Sequence, residues 1–482
     1  MEQQGFLPPG QEAGKEANKT RDEFLTHPLG RLIRKHALPA VASMMFMAFY
    51  QIADGIMVGR SLGPEALASV NILYPILALL AGLGVMIGVG GNARIAVLLG
   101  AGESRKASRV LGLIVTLGIG LGIVGSLASL GLMPQILVLL GTSGQLGFFA
   151  GGYLKGLLPF FAFMILVFIL EQSVRNDGRP NLASGIMAAC ALLNIGLDYL
   201  FLFVLEFGIT GAALATGLSQ SIGALIFAAY FLKKTLGNQP GLCFAKPEIN
   251  RTNLWAVVVN GSSELFNSLA TGVTIFLFNR MILIHVGDLG VAAYALVQYL
   301  MMLGMMVVVG ICNGTQPIFS YNHGAGKHRR VKGALWRVAA LCTGVGAVVF
   351  FLMGWQAEPM AALFLPEHPE ALALTLEVAW LVRWSMFFMP AAMLGSVYFT
   401  ALEQAGKSLS VAVSRGLLMP VLGLALFPAW WGATGIWITP AFAEGVAVLV
   451  AAGGFLWTVK ERPLSRKSAT RALTDVNDCR AA

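Results

Sequence analysis

The sequence predicts an all-α membrane protein of about twelve transmembrane helices, arranged as two parallel six-helix repeats. Three observations carry this prediction: an apolar composition, a run of bilayer-length segments, and self-similarity at one fixed spacing. Of 482 residues, 56% are hydrophobic and only 12% are charged, against about 25% charged in an ordinary globular protein. The mean hydropathy is +0.73. So few charges cannot coat a soluble surface. The same numbers exclude a disordered chain, a coiled coil and a secreted disulfide scaffold.

A helix needs roughly 20 apolar residues to cross a core about 30 Å thick. The segments that meet this are 36–59, 66–98, 109–131, 146–170, 181–205, 209–233, 253–285, 289–321, 333–355, 372–401, 409–430 and 435–458. The second, seventh, eighth and tenth run long, so tilt or extension beyond the bilayer is expected. Residues 1–30 are polar and contain no apolar signal core, and are read as a disordered cytoplasmic tail. An amino-terminal lobe (31–234), a cytoplasmic linker (235–251), a carboxy-terminal lobe (252–459) and a second tail (460–482) follow. RNDGRP at 175–180 reads as a cytoplasmic turn, with Pro180 opening the next helix.

Lys and Arg write the orientation. One set of connections holds Arg31, Arg34 and Lys35; Arg105, Lys106 and Arg109; Arg175 and Arg179; Lys233, Lys234, Lys246 and Arg251; Lys327, Arg329, Arg330 and Lys332; and Lys407 with Arg415. The opposite set has little beyond Arg60 and carries Glu206, Asp288, Glu358, Glu367 and Glu370. Both termini are therefore expected in the cytoplasm. The net charge of +9 is spent on topology, so no nucleic-acid partner is expected. The five cysteines are scattered, with no CxxC pair, and read as inert thiols. The six histidines are read as lying at helix ends or in loops. No HExxH, GxSxG or P-loop motif appears, so neither an enzyme nor an ATP-driven machine is expected.

The repeat is visible as matched residues. LGAGESRKASRVLG (99–112) and HGAGKHRRVKGALW (323–336) both follow a long helix, and Gly100 and Gly324 are 224 residues apart. Gly63 with Gly287, Gly208 with Gly432 and Gly211 with Gly435 keep the same spacing. Six helices per unit make the repeats parallel, with a binding site expected near the bilayer midplane between them. That plan suits rocking motion better than a fixed pore.

Charges within the hydrocarbon cost roughly 2.5–3.5 kcal/mol each on insertion scales, so each is a functional candidate. The first half holds Asp54, Lys155 and Asp198; the second holds Glu264, Arg383 and Glu444. Glu171, Glu377 and Glu403 lie nearer helix ends and are read as reaching water. Lys155 and Arg383 occupy the fourth helix of their halves and are read as structural, snorkelling to an interface. At 1.5 Å per residue, Asp54, Asp198 and Thr216 lie roughly 8, 12 and 10 Å deep, at one level. Tyr50 and Asn194 each precede an aspartate by four residues, on the same helix face. The five residues offer carboxylate, amide and hydroxyl oxygens, hard ligands suited to a proton or Na⁺. At the repeat spacing the second half has Phe278, Leu418, Leu422 and Pro440, so this polar site belongs to one lobe. The competing reading is hydrogen bonding between helices. A stripe of Met301, Met302, Met305 and Met306 suits an adaptable apolar wall, with lipid-facing packing as its alternative.

Pro39 and Asp54 in the first helix, LNIGLDYLF at 193–201 and GITGAALATGLSQ at 208–220 resemble the MATE (multidrug and toxic compound extrusion) exporters. Within them the chain is most similar to the DinF- and MepA-like branch, over roughly residues 30–460. The resemblance implies a V-shaped two-lobe transporter, monomeric, in a bacterial plasma membrane, surrounded by lipid. It implies export of amphipathic, mainly cationic drugs by alternating access, coupled to H⁺ or Na⁺ and needing no other cofactor. It assigns cation binding to Tyr50, Asp54, Asn194, Asp198 and Thr216, with Asp54 and Asp198 as the carboxylate ligands of Na⁺. It matches Tyr153 to a further polar position and Glu264 to the acidic residue of the seventh helix. Tyr153, Glu264 and Met302 are thus the expected substrate contacts. The tenth helix departs from the vibrio-type exporters: WLVRWSMFFMP (380–390) holds Arg383 and no Asp, which argues against a Na⁺ site there. Pro39 lacks a backbone donor and is the expected bending point of the first helix. The alternatives are a lipid-linked oligosaccharide flippase of the same superfamily, which calls for a basic central cavity, and a passive channel, which has no use for a one-sided acidic site.

Overall fold

The computed structural model describes residues 19–142, 144–237, 239, 241–364 and 369–461. A short helix, α1, covers residues 19–26. The first half continues with α2 (Leu29–Leu62), α3 (Pro64–Ile72), α4 (Tyr74–Ala101), α5 (Ser104–Gly131), α6 (Met133–Leu139), α7 (Gly144–Leu157), α8 (Phe161–Asn176), α9 (Pro180–Tyr199) and α10 (Gly208–Leu236). The second half holds α11 (Arg251–His285), α12 (Asp288–Gly324), α13 (His328–Phe364), α14 (Pro369–Ala401), α15 (Ala405–Val413), α16 (Met419–Trp431) and α17 (Ala433–Glu461). Among the described residues there are twelve helical spans long and apolar enough to cross a membrane. This is how a chain with few charges satisfies its backbone in lipid.

Several spans are interrupted. The second expected span, 66–98, is two helices that break at Leu73, because Pro75 sits in the first turn of α4 and cannot donate to the turn before it. The fourth changes from α7 to α8 through a 3₁₀ turn, Leu158–Phe160, that contains Pro159. The eleventh joins α15 to α16 through a π turn, Ser414–Leu418.

The two halves meet chiefly along α4–α11, α2–α12 and α4–α12. Lipid is as apolar as leucine, so such seams rely on close packing of small residues. A Cβ on Gly90 would stand 2.1 Å from the Val257 carbonyl oxygen, and one on Gly261 would stand 1.9 Å from that of Met86. Backbone touches backbone here, and no larger residue fits. Near the same end, Arg94 of α4 donates to both carboxylate oxygens of Glu403, just beyond α14, at 3.0 and 3.2 Å.

The amino-terminal segment differs from its expectation as a disordered tail. Residues 1–18 lie outside the described residues, but 19–26 are helical and docked. Phe24 is 1% exposed and stacks on Tyr321 of α12 at 4.2 Å and against His36 of α2 at 4.8 Å. Asn322 Nδ2 and Arg330 Nη2 donate to the Phe24 carbonyl at 3.2 and 3.3 Å, and Lys327 Nζ donates to that of Leu25 at 3.1 Å. Arg21 Nε donates to the Gly100 carbonyl at the end of α4, at 3.0 Å. Side chains thereby satisfy the carbonyls that a helix end leaves unpaired, and α1 ties both halves together. The segment reads as polar by composition; two adjacent apolar residues, Phe24 and Leu25, are enough to seat it. Of the tail assigned to 460–482, residues 462–482 lie outside the described residues, and α17 runs through to Glu461.

The loops follow their expected chemistry. In the 175–180 turn, Asp177 accepts from Tyr230 Oη and Lys234 Nζ at 2.5 Å each, and from the Leu242 amide at 3.2 Å. That turn therefore anchors the segment joining the halves. Asn250 then caps α11, accepting from the Asn253 amide at 2.9 Å.

Candidate functional site

Four helices of the first half converge on one polar cluster. Helix α2 supplies Tyr50 and Asp54, α9 supplies Asn194 and Asp198, α10 supplies Thr216, and α7 supplies Tyr153. Four-residue spacing places the members of each pair on one helix face. Asn194 and Asp198 are buried at 1% and 0% exposure, and Tyr153 at 6%. Asn194 Nδ2 donates to Thr216 Oγ1 at 3.5 Å. Asp54 lies within electrostatic reach of Tyr50, Tyr153 and Asp198. The chain thus brings together the five residues expected to bind a cation, and adds Tyr153.

The acceptors of this cluster are in excess. Asp54 Oδ1, Asn194 Oδ1 and both carboxylate oxygens of Asp198 are buried and have no hydrogen-bond partner among the described residues. A buried polar atom left unmatched costs about 1–3 kcal/mol, and more when charged. Four such atoms together create a local demand for a proton or a cation. Among the described residues no group of three or more His, Cys, Asp or Glu is arranged to hold a metal ion. A metal cation here would therefore rely on the amide of Asn194 and the hydroxyl of Thr216 beside the two aspartates. That all-oxygen set fits a hard monovalent ion.

The other expected contacts are arranged differently. Tyr153, grouped with Glu264 and Met302 as a substrate contact, sits with the aspartates. Glu264 stands on α11 in the second half, where its polar neighbours are Asn267 and Arg415. Met302 is half-buried on α12, and Pro39 lies within an unbroken α2.

Sequence reasoning missed the charge pairing. Arg415, counted among loop cations, belongs to the π turn inside the eleventh span, where its Nη2 and Nε donate to Glu444 of α17 at 2.6 and 3.2 Å. Such π turns recur at functional positions in helices. The signal that could have found it is its 29-residue separation from Glu444 across two antiparallel spans. Glu171, read as reaching water, is 2% exposed, pairs with Arg175 one turn on and accepts from Ser43 Oγ of α2 at 3.4 Å. Glu403 is paired with Arg94, whereas Glu377 is exposed as expected. Lys155, read as a buried charge, faces outward. His36 lies inside α2 at 1% exposure rather than at a helix end.

Comparison with known proteins agrees with this architecture. The MatE family model matches the chain twice, over residues 39–200 and 265–427. The multidrug export protein MepA of Staphylococcus aureus (strain NCTC 8325 / PS 47) is 28% identical over 439 residues, covering 89% of this chain and 94% of the relative. MepA of Staphylococcus saprophyticus is 26% identical over 419 residues, covering 86% and 91%. Among solved structures, an outward-facing conformation of a multidrug resistance MATE family transporter of the MOP superfamily has a TM-score of 0.83 at 25% identity. It covers 90% of this chain and 96% of that one. A MATE in the bent conformation has a TM-score of 0.83 at 24% identity, covering 94% and 99%.

Proposed function

Because this chain belongs to the MatE family, we propose that it is a multidrug efflux transporter exchanging H⁺ or Na⁺ for amphipathic, mainly cationic compounds. The observation that carries the coupling is the set of four unpartnered buried oxygens on Asp54, Asn194 and Asp198. A proton or Na⁺ satisfies those acceptors, and so does the charged end of a cationic compound. With the aspartates ionised the cluster holds a cation; with Asp54 protonated it releases one. Two ligands competing for one negative charge meet the minimal requirement of antiport, since each favours the state that excludes the other. A charge moving inward through the membrane potential supplies roughly 2.3 kcal/mol per 100 mV.

The glycine-lined seam between the halves suits rocking of one half against the other around a shared site. Pro39 is the proposed bending point of α2. Glu264, next to the Arg415–Glu444 pair, offers the cationic end of a compound a second, weaker place. Tyr153 and Met302 supply aromatic and apolar contact. The chain acts as a monomer in the plasma membrane with both termini in the cytoplasm, and performs no chemistry on its cargo.

Dye efflux from loaded vesicles tests this reading, with wild type and Asp54→Asn driven separately by a pH gradient and by a Na⁺ gradient. Efflux under one gradient, lost in the variant, is the expected result and names the ion. No dye movement by folded wild-type protein under either gradient sinks it and turns attention to lipid-linked oligosaccharides.

A further inference from the structure

The flank of the second half carries an arginine with no carboxylate partner among the described residues. Arg383 reaches from α14 to α13, where its guanidinium lies over the Phe350 ring at 4.6 Å and over that of Trp380 at 5.0 Å. Rings cover the faces of a guanidinium, whereas its five donors radiate in its plane. Arg383 Nε is buried and donates to nothing among the described residues. The floor beside it is Gly354, where a Cβ would stand 2.2 Å from Arg383 Nη1. The missing side chain is what makes the notch.

Height along the helices places this notch near a membrane surface. The Arg383 backbone lies roughly 27 Å along α14 from Ala401, at 1.5 Å per residue. Gly354 lies roughly 39 Å along α13 from His328 by the same rise, farther than the roughly 30 Å thickness of a hydrocarbon core. The side chain therefore climbs away from the end that bears α1. Trp355 and Trp380 are exposed beside it at 76% and 55%, as in the aromatic belts found at lipid–water interfaces. Helix α13 packs chiefly on α12 and α14, so the notch opens sideways rather than toward the aspartates.

We propose that Arg383, Gly354, Phe350 and Trp380 form a binding site for the phosphate of an anionic phospholipid in the leaflet opposite α1. A weakly hydrated planar fork suits bidentate phosphate recognition. The rings fix its faces, and the side chain is half-buried on a flank beside exposed tryptophans, where headgroup phosphate is the abundant acceptor. The site does not depend on the transport reading, and its test needs no transport.

Native mass spectrometry of the full chain in detergent reads the site directly. Phosphatidylglycerol and phosphatidylcholine of the same acyl chains are compared as ligands. Wild type is expected to retain phosphatidylglycerol preferentially, and Arg383→Gln to retain roughly tenfold less, as loss of a charge-assisted hydrogen bond implies. Arg383→Lys, which keeps charge but not the fork, falls between. Gly354→Ala leaves the arginine in place, suits a helix better than glycine, and is expected to lower retention by pushing the guanidinium aside. Should Arg383→Gln fail to fold, Gly354→Ala decides alone. Wild-type retention in these variants overturns the proposal. So does displacement of phosphatidylglycerol by added inorganic phosphate, which would make this a site for a free anion.

Discussion

In the first half of the molecule, Asp54 and Asp198 keep three carboxylate oxygens buried and unpartnered among the described residues. In the second, Glu444 is bound by both Nη2 and Nε of Arg415, with Glu264 in the same field. One duplicated plan thus holds carboxylates in two conditions. A paired charge is internally neutral and holds helices in register. An unpaired one destabilises the half that contains it and responds to any cation that arrives. On the proposed coupling, ion response belongs to the first half and the second is the firmer frame.

The comparison breaks first, and most visibly, at the aspartates. Asp54→Asn and Asp198→Asn are expected to reduce ion-driven dye efflux by more than about tenfold, the scale of one lost charge interaction of 1.4 kcal/mol or more. Neither should lower the thermal unfolding temperature in detergent, because no partner is orphaned. A fall of several degrees in either would show that the aspartates hold structure instead. The second half should behave in reverse. Glu444→Ala strands a half-buried guanidinium that keeps only Glu264 in its field and is expected to cost about 1–3 kcal/mol of stability. The double variant Arg415→Leu/Glu444→Leu should recover most of that loss; failure to recover would mean the pair does more than neutralise itself.

Smaller effects sharpen the picture. Phe24→Ala removes the ring between Tyr321 and His36, with a cost of up to about 3 kcal/mol, felt by both halves because α1 bonds to each. Hydrogen exchange should report faster exchange in residues 19–26, and unchanged exchange there would dismiss the docking. Thr216→Val removes a hydroxyl whose bond to Asn194, at 3.5 Å, is at the limit of hydrogen-bond length. It is expected to shift the ion concentration for half-maximal efflux by less than about tenfold, whereas a total loss would make Thr216 a principal ligand.

Hydropathy and the 224-residue spacing read out the twelve spans and their two-unit arrangement, because crossing a bilayer constrains composition more severely than folding in water does. The same reading reached the cluster of Tyr50, Asp54, Asn194, Asp198 and Thr216, since charges in lipid are rare and their depth follows from helix rise. What stayed hidden depends on partners far along the chain. Arg415 is counted with the loop cations although it falls inside the 409–430 span, because the Glu444 that neutralises it lies 29 residues on. Glu171 reads as reaching water because its local partner Arg175, one turn on, reads as a loop cation, and Ser43 lies 128 residues away. Residues 19–26 read as a tail because Phe24 and Leu25 gain their burial from α2 and α12, not from their neighbours in sequence. Pro75 and Pro159 are local signals that the hydropathy reading passes over: one divides α3 from α4 and the other sits in the turn between α7 and α8.

The docking of α1 also has a consequence for how the molecule is made. Its carbonyls at Phe24, Leu25 and His27 accept from Asn322, Lys327 and Arg330, partners 298 to 306 positions downstream. A ribosome working at about 5–20 residues per second takes roughly 15–60 s to deliver them. Through that interval the ring of Phe24 lacks Tyr321, its stacking partner. Helix α1 therefore cannot be seated until the chain has been made through α12 and the start of α13.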